Sequence, residues 1–266
     1  MFAAGTLYDS NPISLKAQIE RCFSHKVGPN GMQDKKIVSG IVPHNSIDYS
    51  GPIAAWLYSR SGKSNFIILG ASHKPIKPQF AVMKEGLWKT PLGELLVDNK
   101  MANKLCSSCE LIEYDSISHQ AEHSIEIQLP FLQYRFGNDF KFIPILVYNQ
   151  FADESFLNNC NEVGNAIVNL IKVSKDNWTV IGSSDFSQDR KFDNELIKTL
   201  LKLDDKKLFE KIKGKEDKIC GFGPLAIAAI VAKKMGANGK LLKYATASQI
   251  SPNANSSAGY ASIIFY

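Results

Sequence analysis

The stretch Lys36-Ile-Val-Ser-Gly-Ile-Val-Pro-His-Asn-Ser-Ile-Asp-Tyr-Ser-Gly51 joins an apolar run to a cluster of polar groups without a gap. Lys36 to Val42 reads as a buried strand, and Pro52-Ile-Ala-Ala-Trp-Leu-Tyr58 as a helix that starts on its proline. Pro43, His44, Asn45, Ser46 and Asp48 fall between them. The carboxyl end of a strand in an open α/β sheet is where such folds place ligands. His44 is therefore a candidate for chemistry, and the rest of the chain must supply its partners.

The pattern repeats outward from this point. Asn65-Phe-Ile-Ile-Leu-Gly70 is a second short apolar run, and it ends in Ala71-Ser-His-Lys-Pro75. Lys141-Phe-Ile-Pro-Ile-Leu-Val147 is a third, and Trp178-Thr-Val-Ile-Gly182 a fourth, ending in Ser183-Ser-Asp-Phe-Ser-Gln188. Helical spacing marks Ile13–Phe23, Lys100–Cys106, Ser124–Phe136, Asp153–Val173, Asn194–Leu201, Asp205–Lys213 and the alanine-rich Gly221–Met235. Phe80–Met83, Lys240–Thr246 and Gly259–Tyr266 read as further strands, with a hairpin in Gly86–Asp98. Buried strands alternating with amphipathic helices predict an α/β fold. The expectation is a single domain over residues 1–266 with a central, mostly parallel or mixed sheet flanked by helices on both faces.

The 266 residues are 44% hydrophobic and 21% charged, an ordinary globular composition. The net charge is +5, but the densest lysine group, Lys206 to Lys218, is interleaved with Asp and Glu. It reads as a solvated helical face rather than a nucleic-acid patch. Nothing reads as a signal peptide or a membrane span, so the expected compartment is the cytoplasm. Five cysteines at irregular spacing do not form a disulfide framework. Cys106-Ser-Ser-Cys109 reads first as two ordinary thiols and second as a redox pair. No glycine-rich nucleotide loop and no hydrolase or zinc-protease motif occurs, so no nucleotide cofactor is expected.

Four loops concentrate chemical groups: Pro43–Asp48, Gly70–His73, Glu122-His-Ser-Ile-Glu126 and Ser183–Gln188. Two strand-end histidines, His44 and His73, could converge as separated ligands of a metal or acid/base site. Each could equally be hydrogen-bonded to nearby backbone. For His123 two readings stand, capping of a helix start and proton transfer. Asp185 is either a buried general base or ligand, or the side chain of an Asx turn. His119 and His25 read as surface residues.

In order along the chain, Ala4-Gly-Thr-Leu-Tyr8, Val42-Pro-His44 with Tyr49-Ser-Gly51, Leu69-Gly-Ala-Ser-His73, Glu122-His-Ser-Ile-Glu126 with Leu129-Pro130, Ser183-Ser-Asp-Phe-Ser187, Cys220-Gly221 and Tyr244-Ala-Thr-Ala-Ser248 with Gly259-Tyr260-Ala261 resemble the Memo family. The resemblance implies a fold similar to class III extradiol dioxygenases, non-haem iron enzymes that open catechol rings. It also implies metal-ligand positions at His44 and His73, a pocket histidine at His123 and an acidic pocket residue at Asp185. Two departures stand out: Gln188 where the family has histidine, and Ile250 at the position expected to carry the third ligand. The resulting expectation is a metal-dependent, dioxygenase-like oxidoreductase with a degenerate site, holding a transition metal (iron or copper) weakly or not at all. The alternative is a non-catalytic module that keeps the pocket to bind a small molecule or peptide.

Overall fold

The computed structural model describes residues 1–251, 253–254 and 256–266. The chain runs α1 (Pro12–Ser24), β1 (Ser39–Val42), α2 (Ile47–Tyr58), β2 (Asn65–Ala71), β3 (Phe80–Val82), β4 (Leu87–Thr90), β5 (Gly93–Leu96), α3 (Asn99–Ser108) and β6 (Ile112–Tyr114). It continues through a 3-10 turn at Glu126–Gln128 into α4 (Leu129–Phe136), β7 (Phe142–Val147), α5 (Glu154–Lys172), β8 (Trp178–Ser183), α6 (Arg190–Leu201) and α7 (Asp205–Ile212). The last elements are α8 (Phe222–Lys234), β9 (Gly239–Thr246), α9 (Ala247–Ile250) and β10 (Gly259–Phe265).

Among the described residues, eight strands form one mixed sheet in the order β6-β3-β7-β2-β8-β1-β10-β9, while β4 and β5 form a separate hairpin. The four core strands expected to be neighbours, β7, β2, β8 and β1, are adjacent and parallel. Antiparallel pairing enters on either side, at β3–β7 and at β1–β10–β9.

Alternation along each strand divides the core in two. Ile41, Ile67, Leu69, Ile143, Ile145 and Val180 face a cluster with α3, α5, α6, α7 and α8. Val42, Phe66, Ile68, Phe142, Leu146 and Ile181 face α1, α2 and α4. Burying each such side chain contributes about 1.5–3 kcal/mol. Every residue of β1, β7 and β8 is buried, which is why these strands read as continuous apolar runs rather than alternating ones. The parallel arrangement brings the carboxyl ends of β1, β8 and β2 side by side, so the loops after all three open on one edge of the sheet.

Three helices differ clearly from expectation: α2, α4 and α6, the last starting at Arg190, four residues before Asn194, behind the Asp189 side chain that accepts from Lys191 and Phe192 N–H. The helix expected from Pro52 begins at Ile47. Proline in its sixth position leaves only the Asp48 carbonyl without a helical donor, and Asp48 is exposed. The helix expected over Ser124–Phe136 is split, because Pro130 has no N–H to give the Glu126 carbonyl, and a 3-10 turn precedes α4. No helix among the described residues is long and apolar enough to cross a membrane.

Candidate metal centre

His44 follows β1, His73 follows β2 and Asp185 follows β8, so three adjacent strand ends deliver three of the expected residues. His123 arrives from the segment before the 3-10 turn. Together they line a cavity of about 570 Å³, along with Asn45, Cys220 and the N-terminal residues Phe2, Ala3, Thr6 and Leu7. The ring centroids are 5.3 Å apart for His44–His73, 5.6 Å for His44–His123 and 4.4 Å for His73–His123. One nitrogen from each of the three rings lies within 4.8 Å of the others.

Cys220 is the residue that sequence reasoning left without a role. Its Sγ is 3.2 Å from His44 Nε2 and 3.1 Å from His73 Nε2. It is held against the β8 end by the Asp185 N–H, which donates to its carbonyl at 3.0 Å. The residue after it, Gly221, caps α8 with φ +93°, and a Cβ there would lie 2.7 Å from the Ser183 carbonyl oxygen. Only glycine makes this turn without strain.

Both histidines are oriented from behind. His73 Nδ1 faces the Glu122 carboxylate at 2.9 Å, and His44 Nδ1 faces Ser183 Oγ at 3.1 Å. Glu122 is itself fixed by the backbone N–H groups of His73, His123 and Ser124 at 2.9, 2.7 and 2.9 Å. The Asp185 carboxylate accepts the His44 N–H at 2.8 Å.

The electrostatics follow from this packing. Burial opposes ionisation of Cys220, but His44 and His73 outweigh it and bring the thiol down to about 6. Burial also opposes charge on His73, yet its contacts with Cys220 and Glu122 push it up to about 10. His44 is raised as well, with Asp185 and Cys220 overcoming its burial. Glu122, against its burial, is held down at about 2 by His73 and the backbone donors. His123 goes the other way: burial, then the charges of His44 and His73, lower it to about 4.

These residues fit a metal ion. Two imidazole nitrogens and a thiolate converge, and each imidazole has a partner on its far nitrogen, as metal-ligating histidines do. Nitrogen and sulfur ligands on one tetrahedral ion lie about 3.6 Å apart, so the observed contacts need open by only about half an ångström.

Three expectations are corrected here. Ile250 does not occupy a ligand position: it is buried in α9 in an apolar cluster with Ile53, Ala245, Ala247 and Tyr260. Cys220 Sγ stands beside both Nε2 atoms, and His123 offers a nitrogen within 4.8 Å of the other two rings, so the reasoning that made the site degenerate at Ile250 loses its premise. Gln188 is exposed, where its Oε1 accepts from Ser257 Oγ at 3.4 Å, and it does not line the cavity. His119, expected at the surface, is buried with Nδ1 2.8 Å from the Asp115 carbonyl. Of the two carboxylates expected at this helix start, Glu122 accepts the His123 and Ser124 N–H groups in the turn ahead of the 3-10 helix. Cys106 and Cys109 are free thiols.

The cavity is roofed by the N-terminal segment. The buried Glu126 carboxylate accepts the N–H groups of Phe2 and Ala3 at 2.7 and 3.1 Å, and also the Tyr8 hydroxyl. The Leu7 carbonyl accepts from Ile47 N–H at 2.9 Å, pinning the other end of the strap.

Comparison with known proteins gives a consistent result. The family model described as Memo-like protein matches residues 1–264. A MEMO1 family protein of Pyrobaculum aerophilum is 38% identical over 278 residues, covering 99% of this chain and 97% of the relative. Another, of Methanopyrus kandleri, is 36% identical, covering 98% of this chain and 96% of the relative. A third, of Sulfolobus acidocaldarius, is 36% identical with 98% and 97% coverage.

Proposed function

The chain belongs to the Memo family, and from that premise we propose that it is a transition-metal-binding oxidoreductase acting on a small molecule. His44, His73 and Cys220 hold the ion, which is iron or copper. One observation carries the reading: a thiolate within 3.2 Å of two imidazole nitrogens that are both backed on the far side. Such a donor set suits a first-row transition ion, which supplies redox and Lewis-acid chemistry when bound. A cavity of about 570 Å³ suits a small molecule. His123, lowered to about 4, is neutral at pH 7 and takes a proton from the substrate. Asp185 is the second proton-handling group, and its hydrogen bond to the His44 backbone keeps the two loops in register. Five free thiols suit a reducing cytoplasm.

The test is metal analysis of untagged protein, followed by anaerobic Fe²⁺ titration. The expected result is about one equivalent of ion in wild type and its loss in Cys220→Ser and His73→Ala. Folded wild type that takes up neither iron nor copper would overturn the metal reading and leave a binding module that retains the pocket.

A second reading has its own observation. Cys220 Sγ, His73 and Glu122 are spaced as a nucleophile, its base and the carboxylate that orients the base. In that reading the metal-free thiolate attacks an ester carbonyl, the alcohol leaves, and water hydrolyses the acyl thioester. A p-nitrophenyl ester assay on metal-free protein decides it: a burst lost in Cys220→Ser favours it, and no burst removes it.

A further inference from the structure

Behind His44 lies a chain of buried polar groups for which the metal site alone gives no reason. Ser183 Oγ is 3.1 Å from His44 Nδ1, Gln128 Nε2 is 2.9 Å from Ser183 Oγ, and Tyr58 Oη is 2.7 Å from Gln128 Oε1. Tyr58, Gln128 and Ser183 have no exposed surface. Burying so many polar atoms is costly unless their arrangement is fully specified.

Two backbone carbonyls specify it. A carbonyl only accepts, so Gln128 must turn its NH₂ end toward Pro43 O at 3.0 Å. The reverse orientation would set two oxygens against each other. Gln128 Nε2 therefore donates to Pro43 O and to Ser183 Oγ, and its Oε1 takes the Tyr58 hydroxyl proton. Likewise the single Ser183 hydroxyl proton goes to Ser124 O at 2.7 Å. Ser183 Oγ has no proton left for His44, and its remaining role toward the ring is acceptor.

We propose that Ser183, Gln128 and Tyr58 are positioning residues that fix the His44 hydrogen on Nδ1 and so reserve Nε2 for the pocket. The chain is a lock, not a proton wire. It ends blind at Tyr58, stacked on Phe131 at 5.1 Å, where burial keeps the phenol un-ionised. A wire needs an outlet to solvent, and none of its members reaches one. Fixing the far nitrogen of a ligating histidine in this way is worth about 10–100-fold in metal affinity. The inference rests on the metal reading for its purpose, but the placement of the proton does not.

The experiment uses metal-free protein labelled with ¹⁵N-histidine, with His44→Gln to assign the ring signals. The expected result is a slowly exchanging Nδ1–H on His44 that persists from pH 6 to pH 9. It becomes fast-exchanging in Ser183→Ala and weakens in Tyr58→Phe. Zn²⁺ affinity, as a redox-silent probe, falls about 10–100-fold in Ser183→Ala. A wild-type His44 with bare Nδ1 would overturn the inference without any variant, and so would a Ser183→Ala protein whose ring proton is unchanged. Wild type that keeps the protected Nδ1–H but binds no Zn²⁺, iron or copper sinks the metal reading and leaves the lock standing.

Discussion

At neutral pH the metal-free site holds a proton on His73, raised to about 10, opposite a Cys220 thiolate, lowered to about 6. An ion that takes the His73 lone pair must displace that proton. Because His44 is raised as well, Zn²⁺ uptake at pH 7.5 should therefore release at least one proton per ion, and affinity should climb with pH until about 10. Titration in weakly buffered phenol red measures both, and release of no proton would contradict the pairing. The same pair contributes to folding of the metal-free protein. The thiol's share is complete above 9.0 and lost as pH falls through about 6, while the imidazole's share is complete below 6.5 and lost as pH rises through about 10. The pair's contribution is thus flat across neutral pH and erodes at both ends, and Cys220→Ser should remove that shape from a plot of Tm against pH. Ile250→Ala tests the corrected ligand set: it should cost about 2–4 kcal/mol by emptying part of an apolar cluster, with metal affinity unchanged. His44 and His73 were legible in the sequence because two apolar strands each run into a polar loop that carries one histidine. Cys220 was not, since a lone cysteine has no spacing partner, and His73, the nearer of the two imidazoles it touches, is 147 residues away in sequence. The one available signal was its place just before the start of an apolar helix, where thiolates are stabilised.

Helix α8 does more at the site than cover the sheet. Its cap, Gly221, turns with a positive φ so that Cys220 can reach over the strand ends. Gly221→Ala forces a Cβ toward the Ser183 carbonyl, a strain of about 1–3 kcal/mol. Denaturant unfolding should show that loss, and Zn²⁺ affinity should fall because Cys220 is displaced. By contrast Asn11→Ala removes the side chain that accepts from Ile13 and Ser14 at the start of α1, costing about 1 kcal/mol without touching metal affinity. The long helices were legible from apolar spacing: α5 lies within one residue of its expected ends, and so does α8. Where α2 and α4 were misread, proline was the cause. Its effect depends on which carbonyl it leaves unpaired, and that is a fact of three-dimensional exposure rather than of sequence.

For the whole molecule, the alternation of apolar runs and amphipathic helices foretold a mixed sheet covered on both faces. It did not foretell β6, three residues long and paired only at the edge, because so short a strand has no period to read. Nor did it foretell that Glu126, read as a helix-end carboxylate, ties down the strap over the pocket. Glu126→Ala should leave the sheet folded while exposing Phe2–Tyr8 to protease, and bound metal should be stripped faster by a chelator. Equal cleavage and equal stripping rates in wild type and variant would show that the strap does not depend on this carboxylate. The strap also has a place in time. Residues 2–8 leave the ribosome more than a hundred residues before their anchor, Glu126, and the thiol at Cys220 follows later still. Until Cys220 has emerged, a growing chain thus holds a lid with nothing to close and two histidines without the thiol that faces them.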